Sequence, residues 1–168
     1  MKQTINHIKF ILSVFILFTT INTAFAQTTD FSGTYKLNET KTDFGQAPHT
    51  VLPIKFAVTQ GKDQITFNRT TVNANKEEIT GTEILKFDGS IAERSLPDNG
   101  KRTASLKWAD NHQTFTINST SVNADQSQTT KINETWSLED GGKTLVANRE
   151  VEQSNGFKYT IKGYYDKQ

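Results

Sequence analysis

The chain has 168 residues, a formal net charge of +1 at pH 7 and no cysteine. The absence of cysteine excludes disulfide bonds and thiolate chemistry. The near-neutral charge argues against a nucleic-acid partner, because such proteins carry a basic surface.

The first 26 residues have the pattern of a secretory signal peptide. Lys2 and Lys9 give a positive start, Phe10–Phe18 is apolar, and Ala24-Phe25-Ala26 is the small-residue motif that signal peptidase recognises. The apolar run is too short for a membrane span, which needs about 20 residues. We therefore predict cleavage before Gln27, export to the periplasm or the extracellular space, and no membrane span.

Residues 27–168 are predicted to form one all-β domain, since apolar residues recur at every second position. In the first segment Phe31, Tyr35 and Leu37 share one face of a strand. Asn, Asp and Gly separate the segments and favour tight turns. The predicted strands cover residues 31–38, 53–60, 64–72, 78–87, 91–96, 101–110, 113–122, 129–138, 143–152 and 157–166.

Short turns between successive strands predict an antiparallel up-and-down meander of 8–10 strands. Apolar side chains lie on one face only, which is typical of a sheet with one solvated side. Closing the sheet removes its exposed edges. We therefore predict a closed or nearly closed barrel, with a two-sheet sandwich as the alternative.

A stretch of about 26 residues is repeated. Residues 64–89 align with residues 114–141, so that Val72-Asn73-Ala74 falls on Val122-Asn123-Ala124 and Glu83 falls on Glu134. The repeat indicates either a duplicated hairpin or two hairpins of similar composition.

Charged residues interrupt the apolar face of several predicted strands. Turns near Asn75 and Gly141 predict that Arg69 lies close to Glu83 and that Glu134 lies close to Arg149. The inward charges are Arg69, Glu83, Arg94, Arg102, Glu134 and Arg149. The pattern is weaker for Arg94 and Arg102.

These charges have two interpretations. They form internal ion pairs or lie at a wet barrel mouth, or they line a polar cavity for an anionic ligand. Four arginines against two glutamates leave a surplus of two positive charges, and arginine binds carboxylates with two parallel hydrogen bonds. With the nearby aromatic side chains, the candidate ligand-binding residues are Arg69, Glu83, Arg94, Arg102, Trp108, Glu134, Trp136, Arg149 and Tyr159.

Catalytic and metal-binding motifs are absent from the sequence. After cleavage only His49 and His112 remain, each in a predicted loop, and the chain has no phosphate-binding loop and no nucleophile elbow. We expect no metal, no cofactor and no enzymatic activity. Glu83 or Glu134 as an acid or base is the less favoured reading, because a structural ion pair explains both.

Residues 31–45 resemble the first strand of calycins, the group of lipocalins and fatty-acid-binding proteins. Gly33-Thr34-Tyr35 stands where lipocalins have Gly-x-Trp, and Phe31–Leu37 is similar to the start of fatty-acid-binding proteins. The resemblance implies a lipocalin-like barrel that carries an apolar ligand. The chain departs from these families in its short loop between Phe44 and Leu52 and in Lys162-Gly163-Tyr164, where fatty-acid-binding proteins have Arg-x-Tyr.

Together these patterns predict a secreted, lipocalin-like binding protein for a small apolar, anionic ligand held inside the barrel. The alternative is a non-catalytic structural or interaction module with a solidly packed barrel. The sequence leaves the oligomeric state open.

Overall fold

The computed structural model describes residues 28–73, 75–96 and 99–168, so the predicted signal peptide and cleavage site lie outside the described residues. The described chain is almost entirely β-strand, with two short 3-10 turns at His49–Val51 and Asp140–Gly142. The strands are β1 (Gly33–Leu37), β2 (Lys55–Gln60), β3 (Gln64–Val72), β4 (Glu78–Lys86), β5 (Ala92–Ser95), β6 (Lys101–Trp108), β7 (Phe115–Val122), β8 (Thr129–Glu139), β9 (Thr144–Gln153) and β10 (Lys158–Lys167).

All ten strands belong to one antiparallel sheet with the order β4-β3-β2-β1-β10-β9-β8-β7-β6-β5. Pairing of β1 with β10 rolls the sheet into a nearly closed barrel. Consecutive strands pair everywhere except between β4 and β5, which are the two edges of the sheet. The predicted meander is therefore confirmed, and the alternative sandwich is wrong because short hairpins keep each strand beside its neighbour in sequence.

Alternation along the strands sends the large apolar side chains into the barrel. Phe115 and Trp136 stack with ring centroids 5.7 Å apart, and Phe56 meets Trp136 edge-on at 4.9 Å. Full burial of one such side chain stabilises the fold by roughly 1.5–3 kcal/mol. The largest side chains in the core are Phe31, Tyr35, Phe56, Phe67, Phe115, Trp136 and Tyr165.

The loop between β1 and β2 folds over one end of the barrel. Phe44, Ala47 and Leu52 form a second apolar cluster with Ile161 of β10. The loop reaches inside the barrel, because the carbonyl of Val51 accepts a hydrogen bond from the buried Arg149 at 3.1 Å. We call residues 44–52 the cap loop.

The two copies of the sequence repeat fold into equivalent hairpins, β3–β4 and β7–β8. In both turns an asparagine side chain accepts backbone N–H groups, Asn73 from Glu77 and Asn123 from Gln128. Such turns hold the backbone without help from the rest of the fold. Their common origin by duplication stays a prediction.

Candidate functional site

Four arginines and two glutamates meet inside the barrel in one connected network. Strand register explains the contacts on one side, because Arg149 of β9 lies directly opposite Glu134 of β8. On the other side Arg69 of β3 faces Gly81, one diagonal step from Glu83. The full network, with every member on an inward stripe, consists of Arg69, Glu83, Arg94, Arg102, Glu134 and Arg149.

Glu134 forms the more deeply buried half of the network. Its side chain is 1% exposed, and Arg149 donates from Nε at 2.8 Å and from Nη2 to the same oxygen. Two donors on one carboxylate make a strong charge-assisted contact. The third guanidinium nitrogen of Arg149, Nη1, donates to the carbonyl of Val51, so this half of the network also holds the cap loop.

Glu83 forms the second half and contacts arginines of three strands, β3, β5 and β6. Arg102 donates from Nε at 2.8 Å, and Nη2 of Arg69 lies 3.1 Å away without the alignment of a hydrogen bond. Arg94 is more distant, with Nε 3.7 Å from the carboxylate. Arg69 links the two halves through its Nη1, which lies 3.4 Å from Glu134.

Both predicted pairs, Arg69 with Glu83 and Arg149 with Glu134, are confirmed. Hairpin register assigns no partner to Arg94 or Arg102, and the expectation that they are unpaired is wrong, because rolling the sheet brings β5 and β6 opposite β4, where both arginines reach Glu83. The surplus of two positive charges remains, and it is shared by the whole network.

The network holds both glutamates as carboxylates. Burial raises the pKa of Glu134, but Arg149, Arg69 and Arg102 outweigh burial and lower the pKa to about 2. Burial likewise raises the pKa of Glu83, and Arg69 and Arg102 reverse the shift, so that its pKa lies below the usual value. The pKa of Arg94 is lowered by burial and by its arginine neighbours, against the attraction of Glu83.

Buried atoms without a hydrogen-bond partner in the described part of the chain include Nη2 of Arg69, Nε of Arg94 and Oε2 of Glu83, which belong to the ion pairs of Glu83 with these arginines, and the hydroxyl of Ser119. Three further buried donors lack an acceptor among the same residues. They are Nε of Arg69, Nε1 of Trp136 and the hydroxyl of Tyr165. The Arg69 guanidinium lies 5.6 Å from the Trp136 ring centroid and 5.4 Å from that of Phe56, whose ring is 4.8 Å from that of Tyr165. An unsatisfied buried polar group costs about 1–3 kcal/mol. This region therefore favours an acceptor-rich group.

Two surface cavities lie away from the network. One, of about 490 Å³, is lined by Trp108, Phe87 and His112. The other, of about 870 Å³, is a trench on the outside of the barrel, because its floor residues Ala104, Ser119 and Val151 turn their side chains inward while their neighbours in sequence face outward and are half-buried or exposed. The trench crosses residues 103–105, 118–120, 131–133, 150–152 and 158–160.

The structure thus brings together seven of the nine candidate residues, the six charges and Trp136. Trp108 instead packs on Phe87 and Phe115, with ring centroids 5.6 and 5.3 Å away. Tyr159 packs against the second apolar cluster. Tyr165 lies on the inward stripe of the last strand, which predicts a core side chain, but the sequence does not predict its buried hydroxyl without a hydrogen-bond partner among the described residues.

In the described part of the chain, no three potential metal-ligating side chains of His, Asp or Glu lie together. Within the same residues, no helix has the length and apolar character needed to cross a membrane.

Comparison with known proteins gives a likeness of fold. No protein-family model and no curated protein sequence matches the chain. A luciferase domain from the dinoflagellate Lingulodinium polyedrum superposes with a TM-score of 0.50 at 11% identity. The alignment covers 81% of this chain but only 41% of that one. The match supports a β-barrel fold, and membership of the calycin group stays a prediction.

Proposed function

We propose that this chain is an exported, non-catalytic binding protein whose barrel holds a small ligand with an anionic group and an apolar body. The anionic group lies beside Arg69, and the apolar body packs among the surrounding aromatic rings. Export is proposed from the signal-peptide pattern of residues 1–26.

The observation that carries the proposal is the combination of excess positive charge with unsatisfied donors. Two glutamates neutralise only part of four arginines, and burying uncompensated charge is costly. The free donors of Arg69, Trp136 and Tyr165 are buried beside this charge. A carboxylate accepts several hydrogen bonds and carries a negative charge, so one ligand group can satisfy the free donors and neutralise the excess positive charge.

A second candidate function is a structural or interaction module with a filled barrel. It is favoured by the tightness of the core, where twelve large side chains are less than 2% exposed. In that case the binding surface lies outside, and the trench across β6–β10 is its natural place. The carrier proposal requires the core side chains to rearrange around a ligand.

Native mass spectrometry of the protein, purified from its natural compartment, tests both parts of the carrier proposal. The expected spectrum shows a chain that begins at Gln27 and carries an additional mass, which is lost on unfolding and belongs to an acidic small molecule. A chain that begins at Met1 contradicts export. A ligand-free spectrum, together with no binding of fatty-acid-like probes, favours the packed module.

A further inference from the structure

The gap between β4 and β5 lies beside the arginine network, because Glu83 of β4 and Arg94 of β5 face each other across it. We infer that it is a lateral opening through which anionic ligands reach Arg69 and Arg94, in place of a path through the capped barrel end. The inference rests on the proposed function and adds the route of access and the residues that select charge there.

The first half of β4 shows that this side is open. A half-buried strand alternates between exposed and buried residues, but Glu78, Ile79, Thr80 and Thr82 are all exposed. Ile79 lies on the inward stripe and is nevertheless 43% exposed. No β-ladder joins β4 to β5 within the described residues, and the rest of the barrel leaves Ile79 partly uncovered.

Gly81 provides the passage. It lies on the inward stripe directly opposite Arg69, and no heavy atom beyond its two chain neighbours lies within 4 Å of the position that a Cβ atom would take. A larger residue there would stand between the gap and the Arg69 side chain. Because glycine has no Cβ atom, Gly81 leaves space beside Arg69, whose positive charge the two glutamates neutralise only in part.

Arg94 stands at the other margin of the gap, on β5. Its side chain is 36% exposed, whereas that of Glu83, its partner at 3.7 Å, is 5% exposed. The Nε of Arg94 has no hydrogen-bond acceptor among the described residues. A partly solvated arginine with a loose partner is free to turn toward an arriving anion, and its field attracts anions over a Debye length of about 8 Å at physiological salt.

The end of the barrel nearest the network offers a poorer route. The cap loop buries Leu52 and Phe44 there and is bonded to Arg149 through Val51. Opening that end breaks the buried hydrogen bond between Arg149 and the cap loop. No backbone pairing closes the gap, and Arg94 at its margin contacts Glu83 only at 3.7 Å, while the tighter contact of Arg102 with Glu83 lies deeper.

A thiol-reactivity experiment tests the opening without knowledge of the ligand. The chain has no cysteine, so Gly81→Cys and Thr82→Cys each carry a single thiol. These neighbours point to opposite faces of β4, inward and outward. Each variant is reacted with an anionic and a cationic methanethiosulfonate. The thiolate displaces sulfinate from the reagent and forms a mixed disulfide.

For each variant, the rate with the anionic reagent is divided by the rate with the cationic reagent. This ratio is expected to be at least about tenfold higher at position 81 than at position 82, because the network attracts anions. The preference should fall in Arg94→Gln and in 1 M salt, where the Debye length is about 3 Å. Equal ratios at the two positions, or an unreactive thiol at position 81, overturn the lateral opening.

A second variant separates this inference from the proposed function. In Gly81→Phe, whose fold is checked by far-UV circular dichroism because only a Cβ atom is shown to meet open space there, the association rate of a fluorescent fatty-acid analogue should fall at least about tenfold. An unchanged association rate overturns the lateral opening and leaves the carrier function standing. If the wild type binds no such probe but the thiol at position 81 keeps its anion preference, the carrier function fails and the opening stands.

Discussion

Arg149 is the residue on which the inner network can be tested by stability. Arg149→Met leaves the almost fully buried carboxylate of Glu134 with only the longer contact to Arg69. Stranding a buried charge costs roughly 3–5 kcal/mol, and we expect a loss of that size in the free energy of unfolding, measured in urea.

The double variant Arg149→Met with Glu134→Gln serves as the control. It removes both charges of the pair, so much of the lost stability should return. If the single change costs less than about 1 kcal/mol, the typical upper value for an exposed pair, the pair is not buried in solution.

The lowered pKa of Glu134 predicts how stability depends on pH. Its pKa is about 2 in the folded barrel and 4.5 as the ordinary value, so the unfolded chain binds the proton more readily. The stabilisation is complete above pH 4.5 and is lost as the pH falls through the window down to about 2. We expect unfolding titrations of Glu134→Gln to show a flatter stability profile over this window than the wild type. Parallel profiles would contradict the assignment.

At the level of elements, the cap loop depends on Gly45. This residue has φ +55°, and a Cβ atom there would lie 2.7 Å from the backbone oxygen of Thr160. Gly45→Ala therefore combines a left-handed backbone cost of roughly 1–2 kcal/mol with a clash that no side-chain movement relieves. Gly156→Ala is the matched control, since Gly156 has φ +87° but open space around it.

We expect Gly45→Ala to lower the free energy of unfolding clearly more than Gly156→Ala, and to increase amide hydrogen exchange in residues 44–52. Equal losses for the two variants would mean that the loop does not lie against β10 in solution.

The strands could be predicted from sequence because their signal is local. Phe31, Tyr35 and Leu37 alternate within one segment, and the Asn73 and Asn123 turns are built by side chains a few residues away. The contact of Arg149 with Glu134 follows from the same logic, since one hairpin brings them opposite each other.

The contact of Arg102 with Glu83 could not be predicted in this way, because it joins β6 to β4 across a gap where no hairpin sets the register. The cap loop was also beyond prediction, since Phe44 and Leu52 find Ile161 more than 100 residues away in sequence. Such long-range contacts depend on the curvature of the complete sheet, which the sequence of one segment does not determine.

Across the whole molecule, backbone pairing closes nine of the ten strand boundaries, and side chains bridge part of the last. Glu83 is the link, since it joins β4 to arginines of β5 and β6. The network therefore stabilises the barrel and also supplies the positive charge at its opening, and these two roles explain why charged residues occupy positions that alternation assigns to the core.

The central claim is that the barrel selects a ligand by its negative charge. The most direct measurement is a pair of fluorescence titrations with a fatty-acid probe and its uncharged methyl ester, which have the same apolar body. The account predicts that the acid binds at least about tenfold more tightly, equivalent to about 1.4 kcal/mol, and that high salt narrows the difference. Equal affinities for acid and ester, or no binding of either, would contradict it.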